Sequence, residues 1–142
     1  MNPSAPAMPG APRLDAIDTI IAFDFGVKRI GIAMGNTLLR QAQPFKVIRA
    51  LDNTTRFAEI GAVLAEWKPA RLVVGLPMHP DGTPHEMTAR ARKFANQLHG
   101  RFNLPVELVD ERYSSAVLSA RRGEVIDDRA AAIILQQYFD VT

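Results

Sequence analysis

Three carboxylates, far apart in this 142-residue chain, fall where a strand or helix would turn them toward one point. Asp24 ends the apolar run Ile20-Ile21-Ala22-Phe23 and is followed by Phe25-Gly26. Glu111 closes a second run, Val106-Glu107-Leu108-Val109-Asp110. Asp127 and Asp128 open a third element, Arg129-Ala130-Ala131-Ala132-Ile133-Ile134-Leu135. A carboxylate at the tip of a buried strand is costly to desolvate, and several together repel one another unless a cation neutralises them. Hard divalent ions, Mg²⁺ or Mn²⁺, held by oxygen ligands are the usual resolution. The chemistry this points to is metal-assisted phosphoryl chemistry.

Each position also has a plainer reading. Asp24 before Gly26 is placed as a turn-capping Asp would be, but Ile20 and Ala22 share its face and put it in a buried pattern. A kinase-type Asp-Phe-Gly triplet is excluded, because that motif needs a nucleotide-binding lobe ahead of it and only 23 residues precede Asp24. Strict alternation sends Asp110 and Glu111 to opposite faces, and periodicity does not say which one enters the site. Acidic residues at a helix start, such as Asp127 and Asp128, also stabilise the helix dipole. His79, His85 and His99 lack metal-ligand spacing, although His79 lies in a loop bordering the expected site.

The elements that must position these groups follow from periodicity and breakers. Thr19 to Phe25 reads as a first strand, and Arg29 to Gly35 as a second across the turn Gly26-Val27-Lys28. A third lies in Gln41 to Arg49, weakened by Pro44. A helix capped by Asn53 or Thr54 follows, with Phe57, Ile60, Leu64 and Trp67 on one face and Pro69 as its stop. Arg71 to Leu76 is a wholly apolar strand of the kind found in a sheet covered on both faces. The capping box Thr83…Glu86, with Pro84 at the first helical position, predicts a helix from Thr83 that Gly100 ends. Val106 to Asp110 is the fifth strand. Ser114 or Ser115 caps a short helix to Arg121, and the last helix runs from about Asp128 to Phe139. This order gives a mixed five-stranded α/β sheet with helices on both faces, and in such sheets sites form outside the carboxyl ends of strands.

Composition bounds the rest. The length fits one domain, read as residues 17–142 after a disordered tail over 1–16 that is rich in Pro, Ala, Met and Gly. No apolar run approaches the ~18 to 20 residues of a membrane helix, so no membrane partner is expected, and the N-terminus does not read as a secretory signal. The absence of cysteine removes disulfides and thiolate metal sites and fits a reducing compartment. Of the 17 basic residues 13 are arginine, which suits bidentate phosphate contacts, though a GC-rich genome produces the same bias.

Taken together, Phe23-Asp24-Phe25-Gly26 with Lys28-Arg29-Ile30-Gly31-Ile32-Ala33, then Val74-Gly75-Leu76-Pro77, Asp81-Gly82-Thr83, Thr88-Ala89-Arg90-Ala91-Arg92-Lys93-Phe94-Ala95, Asp110-Glu111-Arg112-Tyr113-Ser114-Ser115 and Asp127 leading into Ala131-Ala132-Ile133-Ile134-Leu135 resemble the YqgF (RuvX) family. The resemblance covers about residues 18 to 140. It implies an RNase H-like (ribonuclease H-like) fold, a cytoplasmic location, metal-dependent phosphodiester hydrolysis and maturation of the 5′ end of pre-16S rRNA on a ribosomal precursor particle. It makes Asp24, Glu111 and Asp127 the catalytic metal ligands. The segment Arg121 to Ile126 is shorter than the family's loop before the final Asp. The expected mechanism has Asp24 bridging two Mg²⁺ or Mn²⁺ ions, with Glu111 and Asp127 each holding one. Arg29, Arg90, Lys93 and Arg112 would bind the nucleic-acid backbone, which positions without specifying sequence. The rivals are resolution of DNA junctions, a non-catalytic RNA-binding assembly factor, and an actin-like nucleotide site, for which one domain is too little. A monomer or weak dimer is expected.

Overall fold

The segment Thr-Ile-Ile-Ala-Phe-Asp-Phe forms β1 (Thr19–Phe25), and every residue from Ile20 to Phe25 is buried. A strand covered on both faces must lie inside a sheet. β2 (Ile30–Asn36) pairs antiparallel with β1, and β3 (Gln43–Ile48) antiparallel with β2. On the other side β4 (Arg71–Leu76) and β5 (Val106–Asp110) add in parallel. The computed structural model describes residues 17–49, 52–79, 81–111 and 128–142. Among these, five strands form one sheet in the order β3-β2-β1-β4-β5, the mixed sheet expected. Pro44 falls in β3, at the sheet's edge, where a missing N–H is tolerated.

Alternation sorts the strand residues onto two cores. Ile21, Phe23, Phe25, Leu72 and Val74 face one way and pack with α1 (Asn53–Trp67) and α2 (Thr88–Phe102). Ile20, Ala22, Ala33 and Val73 face the other way and pack with α3 (Asp128–Val141), through Ala131, Ile134, Leu135, Tyr138 and Phe139. Helices therefore cover both faces. Phe94 is the hub of the first core, stacked on Phe25 at 4.7 Å and on Phe57 at 5.9 Å, and T-shaped against Phe23 at 5.7 Å.

The helices depart from the sequence expectation at their ends. Asp52, not Asn53 or Thr54, caps α1, its carboxylate accepting the Thr55 amide at 2.8 Å. Trp67 is 40% exposed rather than in the core. α2 begins at Thr88, not Thr83. The Asp81 carboxylate takes both the Thr83 amide and hydroxyl, at 2.9 and 2.7 Å, so Thr83 cannot cap, and Pro84 bridges back to Met78. Gly100 does not end α2, which runs on to Phe102. Asn103, at φ 55°, closes it with its amide on the His99 carbonyl. The expected tail, the short helix to Arg121 and the segment Arg121 to Ile126 lie outside the described residues. No described helix is long and apolar enough to cross a membrane.

Candidate active site

Register places two of the three carboxylates on one face. Ile20 and Ala22 belong to the α3 side, so Asp24, two residues on, points there too, and it is fully buried. Val73 pairs with Glu107 and Gly75 with Val109 in the parallel β4–β5 ladder. Paired residues of a parallel ladder share a face, and Val109 packs into the α3-side core. Glu111, two residues further, falls on that same face and is 1% exposed, whereas Asp110 faces away and is only partly buried. Of the two acids that alternation left open, Glu111 is therefore the one that joins Asp24.

The side chain of Glu111 leans back across β4. A Cβ on Gly75 would stand 2.7 Å from Glu111 Oε2 and 3.0 Å from its Cδ, so the carboxylate occupies the space a side chain there would fill. Phe23 pairs with Val74. Continuing that register sets Asp24 beside Gly75, one strand spacing of about 4.8 Å away. The Glu111 carboxylate thus lies over the strand next to Asp24, at the carboxyl ends of β1, β4 and β5.

α3 aims its N-terminus at the same place. Arg71, which opens β4, donates from Nη1 to the Tyr138 hydroxyl at 2.8 Å, and Phe139 lies against Gly35 near the amino end of β1. Ile134 instead touches Gly75 near the carboxyl end of β4. The helix therefore runs from the carboxyl ends back toward the amino ends. Asp128, six residues before Ile134, lies about 9 Å further out. The Gln137 amide donates to the Asp110 carbonyl at 3.0 Å and ties α3 to the end of β5. Asp127 and Arg112 lie outside the described residues. Among the described residues no group of three or more His, Asp or Glu side chains is placed to hold a metal ion; Asp24 and Glu111 are two of the three carboxylates expected.

The three expected substrate cations among the described residues are not gathered around the acids. Arg29 is exposed on the β1–β2 turn, five residues after Asp24, and Arg90 and Lys93 are exposed on the first two turns of α2. α2 packs on the opposite face of the sheet from Asp24 and Glu111. The Thr88 hydroxyl donates to the Pro77 carbonyl just past β4, so α2 begins at the carboxyl-end rim. Two features escaped the sequence reading. Gly75 makes room for Glu111, and only its place opposite a strand-end acid hinted at this. Arg56, 7% exposed, holds the β1–β2 turn by donating to the Val27 carbonyl at 2.6 Å.

A family model described as RuvX, Holliday junction resolvase, matches residues 18–141. The chain belongs to the RuvX family. Among curated relatives, a protein of Paraburkholderia xenovorans is 55% identical over 128 residues, covering 86% of this chain and 88% of its own. One of Burkholderia lata is 54% identical, covering 94% and 95%. Both are provisionally named pre-16S rRNA nuclease. Among solved structures, Thermus thermophilus RuvC in complex with a Holliday junction substrate superposes with a TM-score of 0.52 at 15% identity, over 87% of this chain and 94% of that one. A second T. thermophilus RuvC structure gives 0.51 at 16%, over 87% and 95%. The fold is thus RNase H-like, as the resemblance implied, and RuvX membership makes this protein a phosphodiester-cleaving nuclease.

Proposed function

We propose that this protein is a metal-dependent nuclease that processes the 5′ end of pre-16S rRNA on a ribosomal precursor particle in the cytoplasm, acting as a monomer or weak dimer. The observation that carries the reading is the pair of buried carboxylates, Asp24 and Glu111, on one sheet face at the carboxyl ends of strands, with Gly75 hollowed beneath Glu111. The names of the 54–55% identical relatives supply the substrate.

The donors fit a hard cation. Both are carboxylates, the oxygen ligands Mg²⁺ and Mn²⁺ prefer over softer metals, and two like charges desolvated side by side gain most from a divalent neutraliser. Asp24 and Glu111 would hold the metal, with Asp127 as the third donor. When bound, the metal supplies an acidified water and stabilises the departing oxygen. The chain's own part is orientation. Asp24 is locked in the most deeply buried strand, and the Glu111 carboxylate is seated on β4. Arg29, Arg90 and Lys93 hold the phosphate backbone across the rim, and Arg112 is the fourth cation assigned to it.

The test is cleavage of a labelled RNA spanning the 5′ end of 16S rRNA, in Mn²⁺ or Mg²⁺ against EDTA, with Asp24→Asn beside the parent. Cleavage should need both metal and Asp24; full cleavage by Asp24→Asn would sink the reading. Binding with a salt slope but no cleavage would favour an assembly factor. The family description and the RuvC-like fold favour a second reading, resolution of DNA junctions. It predicts paired cuts in a four-way junction by a dimer, and a strict monomer counts against it.

A further inference from the structure

The loop between β4 and α2, which the expected helix was to begin in, is instead built around two histidines. The ring centroids of His79 and His85 stand 5.1 Å apart at 47°. His85 is fixed from three directions. Its amide donates to Thr88 Oγ1 at 2.7 Å, its carbonyl accepts the Thr88 amide at 3.0 Å, and its ring Nδ1 accepts the Met87 amide at 3.0 Å. Thr88 is itself anchored to the Pro77 carbonyl. The His79 amide bonds the Thr83 carbonyl at 3.0 Å, and its carbonyl takes the Gly82 amide at 2.8 Å, with Gly82 at φ 89°. Asp81 of the same loop is engaged by Thr83, whose hydroxyl and then amide hold its carboxyl below the usual range.

This wiring has a chemical consequence. An imidazole whose Nδ1 accepts a backbone N–H carries the proton of its neutral form on Nε2. In its neutral form His85 therefore carries a fixed N–H donor on Nε2. The loop leaves β4 two residues after Gly75, beside the seat of Glu111, and shares its rim with the exposed Lys28 and Arg29 and the first turn of α2.

We propose that His85 is a substrate-binding residue that donates from Nε2 to a phosphodiester oxygen of the polynucleotide next to the scissile bond, with His79 as the positioning residue against its ring. The proposal rests on the nuclease reading above for the identity of the site, and its test is kept separate from cleavage. Affinity for a labelled single-stranded RNA is measured in EDTA at pH 8.5 across a salt series, with KM and kcat in Mn²⁺ alongside. His85→Ala should weaken binding and raise KM by about ten- to a hundredfold, the worth of one hydrogen bond to an anion, with kcat unchanged. Because a neutral donor releases no counterion, the slope of log affinity against log salt should stay that of the parent, unlike loss of an arginine. His85→Gln, which keeps an N–H near the Nε2 position, should restore most of the affinity. Unchanged affinity in His85→Ala overturns the proposal. So does a loss that His85→Gln shares in full, or a fall in kcat and thermal midpoint without a change in affinity. Failure of the nuclease reading would show instead as metal-independent cleavage or an active Asp24→Asn, neither of which enters the binding series.

Discussion

Adding one methyl group at Gly75 should silence this enzyme while leaving it folded. An Ala Cβ there would stand 2.5 Å from Ile134 Cδ1 and 2.7 Å from Glu111 Oε2, whereas ordinary contact begins near 3.4 Å. The isoleucine end must move by about 0.9 Å and the carboxylate by about 0.7 Å. The first displacement is a matter of packing, and overfilling a well-packed core costs about 1–3 kcal/mol. That lowers the thermal midpoint by about 2–4 °C per kcal/mol in a domain of this size. The second displacement moves the carboxylate proposed as catalytic, and an ångström of misplacement costs on the order of 10²-fold in rate. Gly75→Ala should therefore lose about two orders of magnitude in kcat with most of its stability kept.

The two effects separate in a second variant. Ile134→Val deletes the Cδ1 atom that meets the new methyl, at a cost of about 0.5–1.5 kcal/mol on its own. In the double variant the Ile134 clash is gone but the Glu111 clash remains. Thermal melts and single-turnover RNA cleavage on the four proteins of the cycle provide the assay. Ile134→Val should recover stability in the Gly75→Ala background without recovering cleavage. Parental cleavage by Gly75→Ala would refute the placement of Glu111 over β4. Recovery of cleavage with stability in the double variant would mean that the methyl acts through α3 and not through the carboxylate.

Three further expectations concern the frame. Gly100 lies inside α2, and a methyl group added there would meet nothing within 4 Å; Gly100→Ala should stabilise by about 0.5–1 kcal/mol, read as a higher urea midpoint at constant slope. Arg56→Met keeps the stem but removes the donors to the Val27 carbonyl and to Asn53 Oδ1, and it should cost about 2–3 kcal/mol in urea melts. Hydrogen bonds from Thr55, amide first and hydroxyl second, hold the Asp52 carboxyl below its ordinary 3.8. Its cap is thus fully effective above that value and lost as pH falls through the lower folded-state value. The stability gap between the parent and Asp52→Ala should be constant above about pH 5 and close in acid; a gap that widens in acid would contradict it.

Periodicity is enough for the sheet, because a strand buried on both faces has little freedom in composition or length. β1, β4 and β5 begin and end where their apolar runs do. Helix ends are harder, since capping is a competition among neighbours. In Asp52-Asn53-Thr54-Thr55 any of the first three could cap, and the carboxylate wins. Thr83 has the right spacing to Glu86, but Asp81 reaches it first. Gly100 has the signature of a stop because glycine favours the left-handed turn, yet Asn103 adopts that turn three residues later. Local signals name the contenders, and contacts outside the window choose between them.

The site shows the same division more sharply. Asp24 is legible because two buried neighbours on its own strand fix its face. Glu111 is not, because Asp110 and Glu111 are equivalent until the strand is registered against another. Pairing Gly75 with Val109 breaks that tie, and it does so at a residue without a side chain. A bulkier residue at position 75 would meet the carboxylate on the α3 side, so the glycine on β4 and the acid after β5 make sense only as a pair. The proposed active site is in that respect a property of the ladder: β1 supplies one carboxylate, β5 the other, and β4 between them supplies the space.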